Sequence, residues 1–114
     1  MRAFVVPVVL FAAATLSGSA SAKADAYYCY WVDAPAKQAG VTAIFPGNRL
    51  KQKSVTGVFA ADMQRQHPNK GRKYECPWKA EPDQAEEDRA GFVATHQDLG
   101  FHVQMLSWNP MSRY

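Results

Sequence analysis

Cysteine and histidine are scarce in this sequence, and neither forms a familiar catalytic or metal-binding motif. The 114 residues include two cysteines and three histidines, with no CxxC, HxxxH or HExxH pattern. This excludes a four-thiolate zinc site and a disulfide-dense miniprotein, and it argues against a thiol-redox catalyst. The glycines follow no phosphate-binding pattern, so a nucleotide-binding loop is not indicated.

Candidate acid–base and nucleophilic groups are equally sparse. No GxSxG motif marks an activated serine. Glu86, Glu87 and Asp88 are consecutive residues of a predicted helix, so they point in different directions and form a solvated acidic face. We therefore predict no catalytic residue, no metal ligand and no cofactor. The alternative is an enzyme with a cryptic site where His96 and His102, six residues apart, approach each other.

One long apolar run is present, and it lies at the N-terminus. Met1-Arg2 supplies a positive start, residues 3–14 are apolar, and Ala20-Ser21-Ala22 matches an A-x-A cleavage site. The run is short for a bilayer span, which disfavours the alternative of an uncleaved membrane anchor. We predict a signal peptide over residues 1–22, cleavage after Ala22, and a single periplasmic or secreted domain over residues 23–114 without a transmembrane segment.

The two cysteines, Cys29 and Cys76, both belong to the predicted mature domain. In an exported protein of this size, such a pair predicts one disulfide bond. The bond would close a loop of 48 residues and contribute roughly 4 kcal/mol in the chain-entropy model. Two free thiols or an intermolecular bridge are the alternatives.

Hydrophobic patterning divides the mature chain into six elements in the order ββαβαβ. Strands are predicted over residues 26–32, 41–45, 73–78 and 101–108, and helices over residues 54–66 and 84–98. The second helix is predicted to begin with a capping box of Asp83 and Glu86 and to end at Gly100. This order predicts an α+β fold, with both helices on one face of a small sheet of about four strands.

Charge is unevenly distributed along the chain. Residues 47–73 contain seven basic residues and one acidic residue, whereas residues 81–98 contain six acidic residues and one basic residue. Such asymmetry can steer a partner electrostatically. The candidate anion or partner patch comprises Arg49, Lys51, Lys53, Arg65, Lys70, Arg72 and Lys73. The alternative is two ordinary solvated faces, and the predicted export disfavours nucleic acid as the partner.

Aromatic residues alternate along the first predicted strand. Tyr27, Cys29 and Trp31 share one face, and Tyr28 and Tyr30 share the other. Tyr28 and Tyr30, together with Trp108 of the last strand, are candidate partner-facing aromatics on the sheet face away from the helices. The alternative is partial burial of these three side chains in a small core.

Several short motifs are arranged as in a known group of proteins. They are Tyr27-Tyr28-Cys29, Ala43-Ile44-Phe45, Glu75-Cys76-Pro77, the Ala- and Glu-containing 84–98 segment, and Trp108-Asn109-Pro110. In these motifs the chain resembles short exported proteobacterial proteins, of sphingomonad-like and related bacteria, that carry two cysteines and have no characterised function. The resemblance covers most of the mature chain and implies a shared small fold with paired cysteines. It implies no catalytic residue.

These observations favour an exported, non-enzymatic binding module. The expected partner is a protein or an anionic component of the cell envelope. A small inhibitor of an exported enzyme fits the same size, export signal and single disulfide, and it is the closest alternative.

Overall fold

A computed structural model describes residues 25–110 of the chain. The predicted signal peptide lies outside the described residues. Seven short strands and two α-helices follow one another in the described part, with a 3-10 turn, Arg49–Lys51, leading into the first helix. In chain order they are β1 (Asp25–Tyr27), β2 (Tyr30–Asp33), β3 (Gln38–Thr42), β4 (Phe45–Gly47), α1 (Gln52–Gln66), β5 (Arg72–Glu75), β6 (Trp78–Lys79), α2 (Pro82–Asp98) and β7 (His102–Leu106).

The strands form two sheets. The smaller sheet has the order β4-β1-β6, and the larger has the order β5-β2-β3-β7. All pairs are antiparallel except β3 with β7, which is parallel. The predicted α+β class is confirmed. In place of the expected single sheet of about four strands, the structure has two sheets, one of three strands and one of four.

The two sheets arise because three predicted strands are each interrupted. The interruptions separate β1 from β2, β3 from β4, and β5 from β6. At the first, the Cys29 amide donates to the Thr42 hydroxyl at 3.0 Å, and the Thr42 amide donates to the Cys29 carbonyl at 2.9 Å. At the third lies Pro77, which has no amide hydrogen for a ladder. The predicted Cys29–Cys76 disulfide is confirmed, and it joins the first interruption to the third.

Helix α1 covers one face of the sheets and completes the core. Tyr27, Cys29 and Trp31, which alternate along the chain as the sequence indicates, contact Phe59 and Met63 of α1. All five side chains are buried. Burial of large aromatic and aliphatic groups of this kind supplies most of the stabilisation of a small domain.

Helix α2 lies on the opposite face. The ring of Phe92 stacks on Tyr30 with centroids 4.3 Å apart, and Asp88 accepts a hydrogen bond from Tyr28. The two tyrosines alternate with Tyr27 and Trp31, so the helices sandwich the strand rather than share one face. The expectation of a shared face is wrong because β1 and β2 are apolar on both sides, and each side is covered by its own helix.

The predicted C-terminal end of α2 is observed, whereas its predicted N-terminal cap is not. The helix begins at Pro82 with Glu81 as N-cap and no side-chain cap, so the predicted Asp83–Glu86 capping box is absent. Its C-terminus agrees with the prediction, because Gly100 has φ +88°. There the Phe101 amide donates to the His96 carbonyl at 2.9 Å, which completes a Schellman motif.

Candidate functional site

An open groove runs along α2 where this helix meets the sheets. Its volume is about 710 Å³. We call it the α2 groove, and the residues that define it for the argument below are Tyr28, Tyr30, Lys79, Glu87, Phe92 and His96. The contributing positions of α2 recur at intervals of three and four residues, which places them on one face of the helix.

Aromatic rings line the floor of the α2 groove in a continuous row. The centroids of Tyr28 and Tyr30 are 6.2 Å apart, those of Tyr30 and Phe92 are 4.3 Å apart, and those of Phe92 and His96 are 4.2 Å apart. Tyr30, Phe92 and His96 are half-buried, whereas Tyr28 is buried. The row therefore presents part of its aromatic surface to solvent, where it can contact a ligand.

Charged groups close one end of the row. The Tyr28 hydroxyl donates a hydrogen bond to Oδ2 of Asp88, and Lys79 Nζ lies 3.7 Å from Oδ1 of the same carboxylate. Burial, followed by the hydrogen bond to Asp88, raises the pKa of Tyr28 far above its ordinary value. Tyr28 is therefore neutral at physiological pH and is unsuited to act as a base or an anionic nucleophile.

Replacing Tyr28 with phenylalanine is expected to lower the free energy of unfolding at pH 7 by about 1 kcal/mol, because one hydrogen bond is lost. The variant should also lose less stability at alkaline pH. A tyrosine whose folded-state pKa is raised stabilises the fold below about pH 10, and this contribution disappears as the pH rises from there through the folded-state value. Urea titrations followed by circular dichroism between pH 7 and pH 11 measure both effects.

Tyr74→Phe is the matched control for Tyr28→Phe. The Tyr74 hydroxyl is buried and has no hydrogen-bond partner among residues 25–110, so its removal should be neutral or stabilising at pH 7. Burial also raises the pKa of Tyr27 and Tyr30, so Tyr28→Phe should still lose some stability at alkaline pH. If that loss were as steep as in the wild type, it would contradict a raised pKa for Tyr28.

Arg49, the first residue of the predicted basic patch, contacts a carboxylate and an aromatic ring of the same chain. Its Nη2 and Nε atoms donate to the two carboxylate oxygens of Asp25 at 2.9 Å and 3.2 Å. Its guanidinium carbon also lies 4.3 Å from the centroid of Trp78. The hydrogen bonds from Arg49 hold the pKa of Asp25 below its ordinary value. Arg49 therefore anchors the start of β1.

The other two arginines of the predicted patch also have partners within the chain. Arg72 lies over Trp31, with its guanidinium carbon 3.6 Å from the ring centroid. Arg65 pairs with the buried carboxylate of Asp62, one turn earlier in α1. The ion pair occupies a donor of Arg65, and the Trp31 ring covers one face of the Arg72 guanidinium, so both residues are held by contacts within the chain.

The four lysines of the predicted patch are exposed but dispersed. Lys51 and Lys53 lie at the N-terminal end of α1, Lys70 follows its C-terminal end, and Lys73 lies on β5. The 15 residues of α1 span about 22 Å, which separates the first two lysines from Lys70. The structure thus distributes the seven cations along α1 and β5.

Trp108 lies apart from the two tyrosines with which the sequence grouped it. Its ring packs on the α1 side, 5.0 Å from Phe59 between centroids, and its Nε1 donates to Asp62 Oδ2 at 2.7 Å. Tyr28 and Tyr30 lie together in the α2 groove on the other side. The structure therefore brings together two of the three candidate partner-facing aromatics.

The two histidines of the cryptic-site alternative have different surroundings. The His96 ring lies between Phe92 and Phe101, and its Nδ1 is 2.9 Å from the Phe92 carbonyl oxygen. His102 is an exposed residue of β7. Between residues 25 and 110, no group of three or more His, Cys, Asp or Glu side chains is arranged to hold a metal ion.

Sequence reasoning missed Lys79, Glu87, Asp88 and Phe92 as members of a site. The signal for three of them was present, because residues 84, 87, 88, 91, 92, 95 and 96 recur at intervals of three and four and so share one face of α2. The prediction of one solvated acidic face missed that Asp88 lies on the side of the helix that faces the sheets, where it accepts a hydrogen bond from Tyr28. Lys79 had no such signal, since its position depends on the pairing of β6 with β1.

Comparisons with protein-family models, with curated proteins and with solved structures found no match to this chain. Among the helices of the described range, none is long and apolar enough to cross a membrane. The case for a function therefore rests on the residues and geometry of the chain.

Proposed function

We propose that this chain is an exported, non-enzymatic binding module that holds a protein partner in the α2 groove. The observation that carries the proposal is the half-exposed row of Tyr30, Phe92 and His96 beside the Asp88–Lys79 pair. Exposed aromatic surface flanked by charged groups is typical of protein interfaces. The predicted signal peptide supports export, and the disulfide suits an oxidising compartment.

A protein fits this site better than an anionic envelope polymer does. A polyanion requires several free cations in proximity. In this chain Arg49, Arg65 and Arg72 have intramolecular partners. The α2 groove is lined by Glu87 and Asp88 against a single cation, Lys79, so its charge disfavours a polyanion there.

The proposal is tested by filling the groove without disturbing the fold. Gly91 lies on the groove-lining face of α2, and a Cβ atom there would meet no atom of residues 25–110 within 4 Å. Leucine also has a higher helix propensity than glycine, by about 0.6–0.8 kcal/mol. We expect Gly91→Leu to keep or raise the stability of the protein and to weaken partner binding at least tenfold, because the side chain occupies the partner's place.

Gly57→Leu supplies the control, since Gly57 is an exposed glycine of α1 and a Cβ atom there would have no neighbour within 4 Å in the described part of the chain. Wild type and both variants, purified from the periplasm after expression of the full chain, are used as bait on envelope extract at low and moderate salt. The proposal is supported if one protein is retained at both salt concentrations by the wild type and by Gly57→Leu but not by Gly91→Leu. The affinity of that protein for each bait is then measured by calorimetry.

Two results would contradict the proposal that a protein partner binds in the α2 groove. Identical retained proteins with all three baits would show that the groove is not the binding surface. Retention of acidic polymers alone, at low salt only, would identify a generic anion interaction of the lysines instead.

A further inference from the structure

The wall of the α2 groove is acidic. Helix α2 carries five carboxylates and one arginine, and that arginine is directed away from the groove. Arg89 Nε donates to the Thr42 carbonyl at 2.6 Å, and its Nη2 lies 3.2 Å from the Met105 sulfur. Of the two carboxylates that line the groove, Asp88 is held by Tyr28 and Lys79.

Glu87 is the free carboxylate of the groove. It is exposed and lines the groove beside Asp88, and its carboxylate makes no ion pair or hydrogen bond with any other residue in the range 25–110. A carboxylate in this setting gains more from a partner cation than one that is already paired, because no internal contact must be broken.

The aromatic row suits a cation as well. A cation over a ring face within about 6 Å of its centroid is attracted by about 0.5–1 kcal/mol at an exposed site. The chain uses this contact at the far end of the same row, where Lys37 Nζ lies 5.2 Å from the centroid of Phe101 and donates to the Leu99 carbonyl at 3.1 Å. Phe101 in turn contacts His96, with centroids 5.1 Å apart.

We propose that the α2 groove binds an arginine or lysine side chain from a basic segment of the partner protein, with the cation against Tyr30 and Phe92 and paired with Glu87. This inference rests on the proposed function and adds the chemistry of the partner. The carboxylate and the ring row together select a side chain that is both cationic and long enough to reach the rings across the helix edge.

The probe is the peptide acetyl-Gly-Ser-Arg-Ser-Gly-amide, compared with the same peptide carrying citrulline in place of arginine. Citrulline keeps the length and shape of arginine but is uncharged. The protein from the periplasm is titrated with each peptide and followed by NMR. We expect shift changes at Tyr30, Gly91 and Phe92, and an affinity for the arginine peptide about two- to fivefold higher than for the citrulline peptide.

A matched pair of variants locates the charge. Glu87→Gln should weaken binding of the arginine peptide about two- to fivefold and leave the citrulline peptide unaffected. Glu86→Gln removes the same charge from the adjacent exposed position of α2, outside the groove lining, and should have a smaller effect. Any of three results would overturn the inference. They are an equal loss of affinity for the arginine peptide in the two variants, equal affinities of the wild type for the two peptides, and no change in the NMR chemical shifts of the groove residues.

The two proposals fail separately. If a protein is captured in a Gly91-sensitive manner but the arginine peptide does not bind, the cation inference falls and the binding function stands. If the peptide binds as expected but no protein is released by Gly91→Leu, the cation site stands and the protein-partner proposal falls.

Discussion

Removing the disulfide by the double substitution Cys29→Ala and Cys76→Ala is expected to lower the free energy of unfolding by about 4 kcal/mol. The bond links residues 47 positions apart, so its loss restores much conformational freedom to the unfolded chain. Both side chains are fully buried and belong to the core, so the native state also loses packing. Because small domains have a total stability of about 5–15 kcal/mol, this is a large fraction of the whole.

Urea denaturation followed by tryptophan fluorescence measures this loss. Wild-type protein reduced under the same conditions is the control. It lacks the same crosslink but keeps both sulfur atoms in the core, so its denaturation midpoint should lie between those of the oxidised protein and the double variant. A double variant that is unfolded even without urea also agrees with the expectation. A decrease of less than 1 kcal/mol would show that the fold does not depend on this crosslink.

Gly40→Ala is the second substitution for which we expect a large effect, a loss of about 1–3 kcal/mol or more from overpacking. A Cβ atom at Gly40 would lie 2.5 Å from Nε1 and 2.7 Å from Cε2 of Trp31, and 3.0 Å from Cδ2 of Leu106. Trp31 is only 2% exposed and has the Arg72 guanidinium 3.6 Å from its ring centroid. The indole therefore has little freedom to move aside.

The control for Gly40→Ala is Gly57→Ala. A Cβ at Gly57 contacts no described residue within 4 Å, and within a helix alanine is favoured over glycine by about 0.8–1 kcal/mol. Chemical denaturation should thus give opposite signs for the two glycine-to-alanine changes. A neutral result for Gly40→Ala would mean that β2 and β3 separate at little cost, contrary to the tight packing at this position.

Part of the α2 groove could be predicted from the sequence. The alternation of aromatic residues placed Tyr28 and Tyr30 together on one face, as observed. It did not predict that α2 would cover that face, because hydrophobic periodicity identifies an apolar side without naming what packs on it. Phe92 and Asp88 met the tyrosines only through the packing of the helix on the sheets.

The basic patch illustrates a different limit. Basic residues close in sequence suggested one anion-binding surface, but the guanidinium groups of Arg49 and Arg72 stack on Trp78 and Trp31, respectively. Such contacts join residues 29 and 41 positions apart in the chain. A count of charges along a segment cannot anticipate which of them the fold will use internally.

By itself, the sequence determined the α+β class, the Cys29–Cys76 pairing and the end of α2 just before Gly100. Each depends on local chemistry: side-chain alternation, the presence of two cysteines, and a residue that tolerates positive φ. Tertiary structure alone decided the division into two sheets, the placement of the helices on opposite faces, and the groove with Glu87 free beside an aromatic row. These features arise from strand pairing and packing between residues distant in sequence, where competing contacts settle each side chain's partner.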